Sequence, residues 1–191
     1  MHKVSLGTAC LLFSILSLHA QSPLEKGLQS INRTSAEAIV EFLADDELQG
    51  REAGMHGSRV AARYIVSRLK QDGIRPLDEN GYYQSFEACS KERQQRGCWQ
   101  VHPDSVANLK QGTHRSLKMN NVLAYIPGRR SDEYVIIGAH FDHLGVDETL
   151  ANDKIYNGAD DNASGVSAVL QIAHAFILSG QKPLRNVIFA F

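Results

Sequence analysis

The residues of this chain that could do chemistry fall in two short stretches, Gly138-Ala139-His140-Phe141-Asp142-His143-Leu144-Gly145 and Tyr156-Asn157-Gly158-Ala159-Asp160-Asp161-Asn162-Ala163-Ser164-Gly165. The first follows Tyr134-Val135-Ile136-Ile137, an apolar β-branched run that reads as a buried strand, so His140 and Asp142 fall where a strand gives way to a loop. Ligands and catalytic groups concentrate at such ends. Two residues apart on an extended segment, His140 and Asp142 point to one side, so the carboxylate can accept one ring N–H while the other ring nitrogen faces a metal ion. Asp160 and Asp161 lie in a loop of small residues that opens a helix, where backbone and cation can approach closely. A carboxylate with two oxygens can bridge two cations. Imidazole with carboxylate and no thiolate suits zinc, and a catalytic zinc keeps one position open for water.

A histidine near a strand end is more often a loop or satisfied core residue, and it is the company of these carboxylates that makes His140 a candidate ligand. Asp160 reads as a loop-structuring carboxylate and His143 as a group behind the ligands or on the surface. His174 falls inside a helical segment as a packed or exposed residue. His56, His102 and His114 lack an acidic partner at metal-binding spacing and read as surface.

The elements that must position these residues are those of an α/β domain. Thr34-Ser35-Ala36-Glu37 has the form of a capping box and leads into a first helix with Ile39, Val40, Phe42 and Leu43. Residues 54–73, bounded by glycines, enclose a second, with Val60, Ala61, Tyr64, Ile65 and Leu69 on its inner face. The polar stretch 87–116 is the least regular. Strands over about residues 122–126 and 135–139, joined by the turn Pro127-Gly128-Arg129-Arg130-Ser131-Asp132, read as a hairpin. A third helix capped by Ser164 runs toward Gly180 and stops before Pro183, and residues 186–191 form a further buried strand. Strand, helix and strand in that order imply a parallel crossover, with the aspartate loop at the carboxyl edge of the sheet.

Composition fits an exported protein. Met1-His2-Lys3 is a short basic start, Leu11-Leu12-Phe13-Ser14-Ile15-Leu16 an apolar centre, and Leu18-His19-Ala20 precedes a cleavage point before Gln21. A signal peptide over residues 1–20 is therefore expected, with residues 21–191 as one domain in the periplasm, cell envelope or extracellular space. The apolar segment is too short to span a bilayer, so no stable membrane insertion is expected. Cys10 lacks a lipid-attachment context, because the apolar run follows it. Hydrophobic residues make up 43% of the chain, enough for a core at this length. A formal net charge of -1 gives no electrostatic case for nucleic acid or an anionic membrane. Beyond the leader only Cys89 and Cys98 remain, as a loop-closing disulfide or as two free thiols.

Both stretches resemble the co-catalytic di-zinc exopeptidases of the bacterial leucyl aminopeptidase and glutamate carboxypeptidase type, metallopeptidase family twenty-eight. Leu48-Gln49-Gly50-Arg51 with Gly57, Ala61-Ala62-Arg63-Tyr64-Ile65 and Asn121-Val122-Leu123-Ala124-Tyr125-Ile126-Pro127-Gly128 extend the likeness over most of residues 35–191. The resemblance implies a mixed central sheet flanked by helices, the zinc-exopeptidase (phosphorylase/hydrolase-like) fold. It implies two zinc ions activating a water, with His140 binding one zinc, Asp142 orienting His140 in the catalytic machinery, and Asp161 bridging both metals. Asp161 is favoured over Asp160 because relatives with one aspartate here keep the one before Asn-Ala-Ser-Gly. The substrates it implies are peptides with a free N-terminus. Related glutaminyl cyclases, with one zinc, and non-catalytic receptors of the same fold are the alternatives.

In that family a strand resembling Asn186-Val187-Ile188-Phe189-Ala190-Phe191 runs into a Gly-Glu-Glu segment that supplies the general base and a zinc ligand, and a further aspartate and a second histidine follow. This chain stops short of them, so it reads as the N-terminal part of an enzyme, a C-terminally incomplete fold that is not itself a working peptidase. Its last strand, residues 187–191, is expected to lack neighbours and to form an aggregation-prone edge.

Overall fold

The computed structural model describes residues 21–91 and 98–191. The expected signal peptide, with Cys10 in it, lies outside the described residues.

Among the described residues three α-helices precede the first strand. Pro23–Ser30 (α1) starts on a capping box: the Ser22 hydroxyl accepts from the Glu25 N–H at 3.2 Å, and the Glu25 carboxylate accepts from the Ser22 N–H at 2.8 Å. Arg33–Leu43 (α2) is the helix expected after Thr34, but its cap is Asn32, whose Oδ1 accepts from the Ser35 N–H at 2.9 Å. Glu37 therefore sits inside the helix and pairs with Arg33 one turn back instead of closing a capping box. His56–Gln71 (α3) fills the interval expected for the second helix and buries Ala61, Ile65 and Leu69.

The strands are Arg75–Pro76 (β1), Tyr83–Lys91 (β2), His114–Ile126 (β3), Arg130–Gly138 (β4), Gly145–Val146 (β5), Ile155–Tyr156 (β6) and Arg185–Ala190 (β7). The helices Pro103–Leu109 (α4) and Ser164–Ser179 (α5) complete the fold. The main sheet runs β1-β3-β7-β4, with β2 paired antiparallel to the long β3 from Tyr83↔Val122 to Lys91↔His114. β7 is antiparallel to β3 and parallel to β4, so the sheet is mixed, as the resemblance implied. Residues 87–116 hold the end of β2, the helix α4 and the start of β3, more structure than their polar composition suggested.

Three expectations change. β3 and β4 are not a hairpin, because β7 lies between them. Residues 187–191 are not an unpaired edge: Val187 and Phe189 are buried with neighbours on both sides. The strand at the edge is β4, whose Tyr134 and Ile136 are 56% and 69% exposed, so the apolar run before His140 is not a buried strand. Four consecutive apolar residues cannot tell an interior strand from an edge one, since their number is the same in both.

One buried amide explains why the Pro127-Gly128 turn opens wide enough to admit a strand. Asn186, at the start of β7 and 1% exposed, accepts through Oδ1 from the Tyr125 hydroxyl at 2.7 Å and the Gly128 N–H at 2.9 Å. Its Nδ2 donates to the carbonyls of Arg130, Ser131 and Glu133. The side chain thus holds the end of β3 and the start of β4 apart by the width of one strand. Gly128 passes so close to Arg185 that a Cβ there would lie 2.1 Å from the Arg185 carbonyl carbon.

The core lies between this sheet and α2, α3 and α5, with Leu43, Ile65, Val166 and Phe189 fully or nearly fully buried. The stretch Ala159–Ser179 is long and apolar enough to cross a membrane by length and composition. Here it is a core helix, burying Val166, Val169, Leu170 and Ala173 in the central cluster. Cys89 and Cys98 are free thiols.

Asn186→Leu leaves several buried backbone groups and the Tyr125 hydroxyl without a partner. It should lower the free energy of unfolding by about 3 kcal/mol or more, read from urea denaturation as an earlier midpoint. A midpoint equal to that of the wild type would refute the role given to this amide.

Candidate metal centre

The first chemistry-bearing stretch follows β4 of the main sheet, and the second follows the separate β5–β6 pair. β4 ends at Gly138 and releases His140 beyond its carboxyl end; β5 and β6 pair antiparallel and return the chain. A π-helical turn over Ala159–Ala163, irregular at Asp161 and Asn162, then runs into α5. Ser164 was expected to cap α5, but it is the first helical residue and the N-cap position is Ala163; Asn162 Oδ1, one residue earlier, accepts from the Gly165 N–H at 3.2 Å. The Ser164 hydroxyl instead donates to the Asp160 carbonyl at 3.0 Å.

The structure brings His140, Asp142 and Asp161 together. His140 Nε2 lies 3.0 Å from Asp161 Oδ1, and its Nδ1 lies 3.4 Å from Asp142 Oδ1. The better hydrogen bond from Nδ1 goes to the backbone carbonyl of Asp142 at 3.1 Å, so the main chain of Asp142 shares the orienting role expected of its carboxylate. A carbonyl only accepts, so Nδ1 carries the proton and Nε2 is aimed at a carboxylate oxygen. Two such acceptors face each other stably only when a positive charge, a proton or a metal ion, sits between them.

His143 is closer to the site than its spacing suggested. Its side chain is only 13% exposed, with Nδ1 3.7 Å from Asp161 Oδ2 and its ring edge-on to Tyr156. Gly158, at φ +62, is what lets it fit: a Cβ there would lie 2.6 Å from the His143 ring. Asp160 is exposed and meets neither histidine, so the geometry distinguishes the paired aspartates. His174 pairs with Asp72 at 2.8 Å, away from the centre.

Arg51 holds these loops in place, and it was noted in the sequence without a role. It is fully buried. Its Nε donates to the Phe141 carbonyl at 2.8 Å, one terminal nitrogen to the carbonyls of Leu43 and Asn157, and the other to the Gly158 carbonyl at 2.9 Å. Its own carbonyl accepts from the His143 N–H at 3.1 Å. One guanidinium thereby ties the histidine loop, the aspartate loop and the end of α2 together. Burial pushes its pKa down, opposed by the nearby charges of Asp142 and Asp161. Two carboxylates against one buried cation leave the centre with negative charge to spare, which favours a further cation.

Residues 121–191 match peptidase family M28. That segment contains every candidate ligand, while Arg51 reaches it from outside. Among solved structures the chain is similar to the aminopeptidase from Aneurinibacillus sp. strain AM-1, with a TM-score of 0.56 and 14% identity over 87% of this chain and 64% of that one. It is also similar to Tannerella forsythia glutaminyl cyclase, with a TM-score of 0.57 and 20% identity over 84% of this chain and 46% of that one. Legionella pneumophila LapA aminopeptidase gives 0.53 and 16%, over 88% and 36%. At these identities the likeness is one of fold, and the chain spans only part of each of these proteins. The M28-like segment and these neighbours establish a peptidase-type α/β fold.

The donor set fits a zinc ion in part. An imidazole and a carboxylate converge, with their remaining atoms held by protein groups. Among the described residues no group of three or more histidine, cysteine, aspartate or glutamate side chains is arranged to hold a metal. Arg51→Met should cost about 3 kcal/mol or more in urea denaturation, because it leaves several buried carbonyls unpaired. Arg51→Lys should recover less than half of that, lacking the planar fork of donors. Full recovery by lysine would contradict the stitching role.

Proposed function

We propose that this chain supplies the N-terminal part of the catalytic domain of an exported zinc aminopeptidase. On this reading residues 1–20 are a signal peptide, residues 21–191 belong to a single catalytic domain, and the whole protein binds two zinc ions. The observation that carries it is the approach of His140 Nε2 to Asp161 Oδ1 within an M28-like segment. Zinc bound there would supply a Lewis acid and an activated water near neutral pH.

The residues of this chain have distinct parts. His140 presents Nε2, and the main chain and carboxylate of Asp142 fix the ring. Asp161 offers one oxygen beside His140 and the other beside His143, the disposition suited to a carboxylate shared between two cations. Family membership and the aminopeptidase neighbours favour peptides with a free N-terminus as substrates. Two protein donors fall short of the three that a catalytic zinc takes, so the 191-residue chain alone should hold zinc weakly. The fold likeness to glutaminyl cyclases is as close as that to aminopeptidases, which keeps a single-zinc cyclisation enzyme as the second reading.

The test uses the whole protein, its zinc content and hydrolysis of leucine anilide. Asp161→Asn should abolish turnover, whereas Asp142→Asn should lower zinc affinity or turnover by about 10 to 100-fold. Two zinc ions per chain support the peptidase, and one with cyclisation of N-terminal glutamine supports the alternative. Negligible effects of both substitutions would overturn the site.

A further inference from the structure

Away from the candidate metal centre, a groove of about 340 Å³ lies between α1, the second half of α5 and the turn that leads into β7. Arg129 precedes β4 and Leu184 precedes β7, so the groove sits at the amino ends of this parallel pair, whereas His140 lies beyond the carboxyl end of β4. The nine residues of β4 separate the two, roughly 30 Å at about 3.3 Å per residue. α1 comes close to α5 because residue 27 is glycine: a Cβ there would lie 2.7 Å from the Ala175 carbonyl oxygen. Leu28 and Ile31 then form one bank and Ile172 and Phe176 the other, with Leu184 from the turn between them, and Leu28, Ile31 and Leu184 stay exposed. Large apolar side chains left in water at one concave place mark a binding site where scattered ones would not, and the volume is within the range of about 300 to 1,000 Å³ that small-molecule sites occupy.

Two cations stand at the same groove, Arg129 and Lys182, both exposed. The backbone brings them together, since the Arg129 N–H donates to the Pro183 carbonyl at 2.9 Å. Neither side chain belongs to an ion pair among the described residues. Asp132 and Glu133, the acids at the start of β4, do not line the groove, and the Glu133 carboxylate is taken by Arg130 at 2.7 Å and by Arg185 at 2.6 Å. None of the described residues that line the groove is acidic. An anion bound here meets positive charge with no carboxylate to displace.

We propose that this groove binds a single-chain amphiphile with a carboxylate head, of the fatty-acid type, its alkyl chain between Leu28, Ile31, Ile172 and Phe176 and its head at Arg129 and Lys182. A site for a membrane surface would present a flat apolar face, whereas here two helices border the chain on both sides. The net charge of -1 also gives an anionic bilayer no general attraction. The site is independent of the metal centre and of the peptidase reading.

The test titrates the full chain, its isoleucine methyl groups labelled, with octanoate, octanol and octyltrimethylammonium below their micelle-forming concentrations. Octanoate should move the Ile31 and Ile172 resonances but not that of Ile136, which is exposed on the β4 edge outside the groove. It should bind about tenfold more tightly than octanol, and added salt should weaken octanoate binding alone. Arg129→Gln combined with Lys182→Gln should bring the two affinities together and leave octanol binding as it was, while Leu28→Asn should weaken both. These positions are exposed, so the substitutions leave the core intact. Equal affinity for octanoate and octanol, a preference that survives the double substitution, tighter binding of the cationic amphiphile, or an Ile136 shift as large as that of Ile31 would each overturn the proposal. So would sedimentation with phosphatidylglycerol vesicles while octanoate leaves Ile31 and Ile172 unmoved, which would assign the face to a membrane surface.

Discussion

Four carbonyl oxygens, from the end of α2, the histidine loop and the aspartate loop, converge on the buried guanidinium of Arg51. Leu43 closes α2 and the other three lie in loops outside the strand ladders, and burying such groups unpaired would cost about 1 to 3 kcal/mol apiece. A lysine could not reach so many acceptors at once, because the fork geometry is what allows one side chain to serve several segments. Burial of the cation is in turn tolerable because Asp142 and Asp161 stand near it. The centre and its scaffold are therefore one electrostatic unit: the carboxylates that would hold a metal ion also make it possible to bury the arginine that positions them.

That unit depends on sheet order. β7 inserted between β3 and β4 makes β4 and β7 parallel neighbours, joined through the aspartate loop and α5. Both chemistry-bearing loops then lie between the carboxyl end of β4 and the start of α5, at the edge where an open α/β sheet places its ligands. Asn186 secures this arrangement by satisfying groups on both flanking segments, so a polar residue in the sheet specifies topology where apolar packing would tolerate a hairpin. Tight approaches at Gly128 and Gly158 do the same for the turns.

Much of this was legible in residue types alone. The crossover and the interval of α3 followed from periodicity and helix stops, and the pairing of His140 with Asp142 from spacing, while the choice of Asp161 as their partner came from the family resemblance. Strand neighbours did not, since an apolar run records that a strand exists and not what flanks it. This is why β3 and β4 read as a hairpin and why the exposed edge was assigned to β7 instead of β4. The cap at Asn32 and the Asn162 bond at the start of α5 were missed because serine or threonine nearby met the same pattern. The role of Arg51 could be found only once distant carbonyls were brought together. Its signal in the sequence was slight, an arginine in a mostly polar and acidic stretch that follows Leu48 and Gly50, which are themselves buried.

The central claim is that His140 and Asp161 are ligands of one zinc ion on the frame held by Arg51. X-ray absorption at the zinc edge, on the chain with one equivalent of zinc at a protein concentration high enough to fill a weak site, tests it most directly. The account predicts nitrogen and oxygen scatterers at about 2.0 to 2.1 Å, the multiple-scattering signature of one imidazole, and loss of that signature in His140→Ala. Sulfur at about 2.3 Å, or an imidazole signature unchanged in His140→Ala, would contradict it.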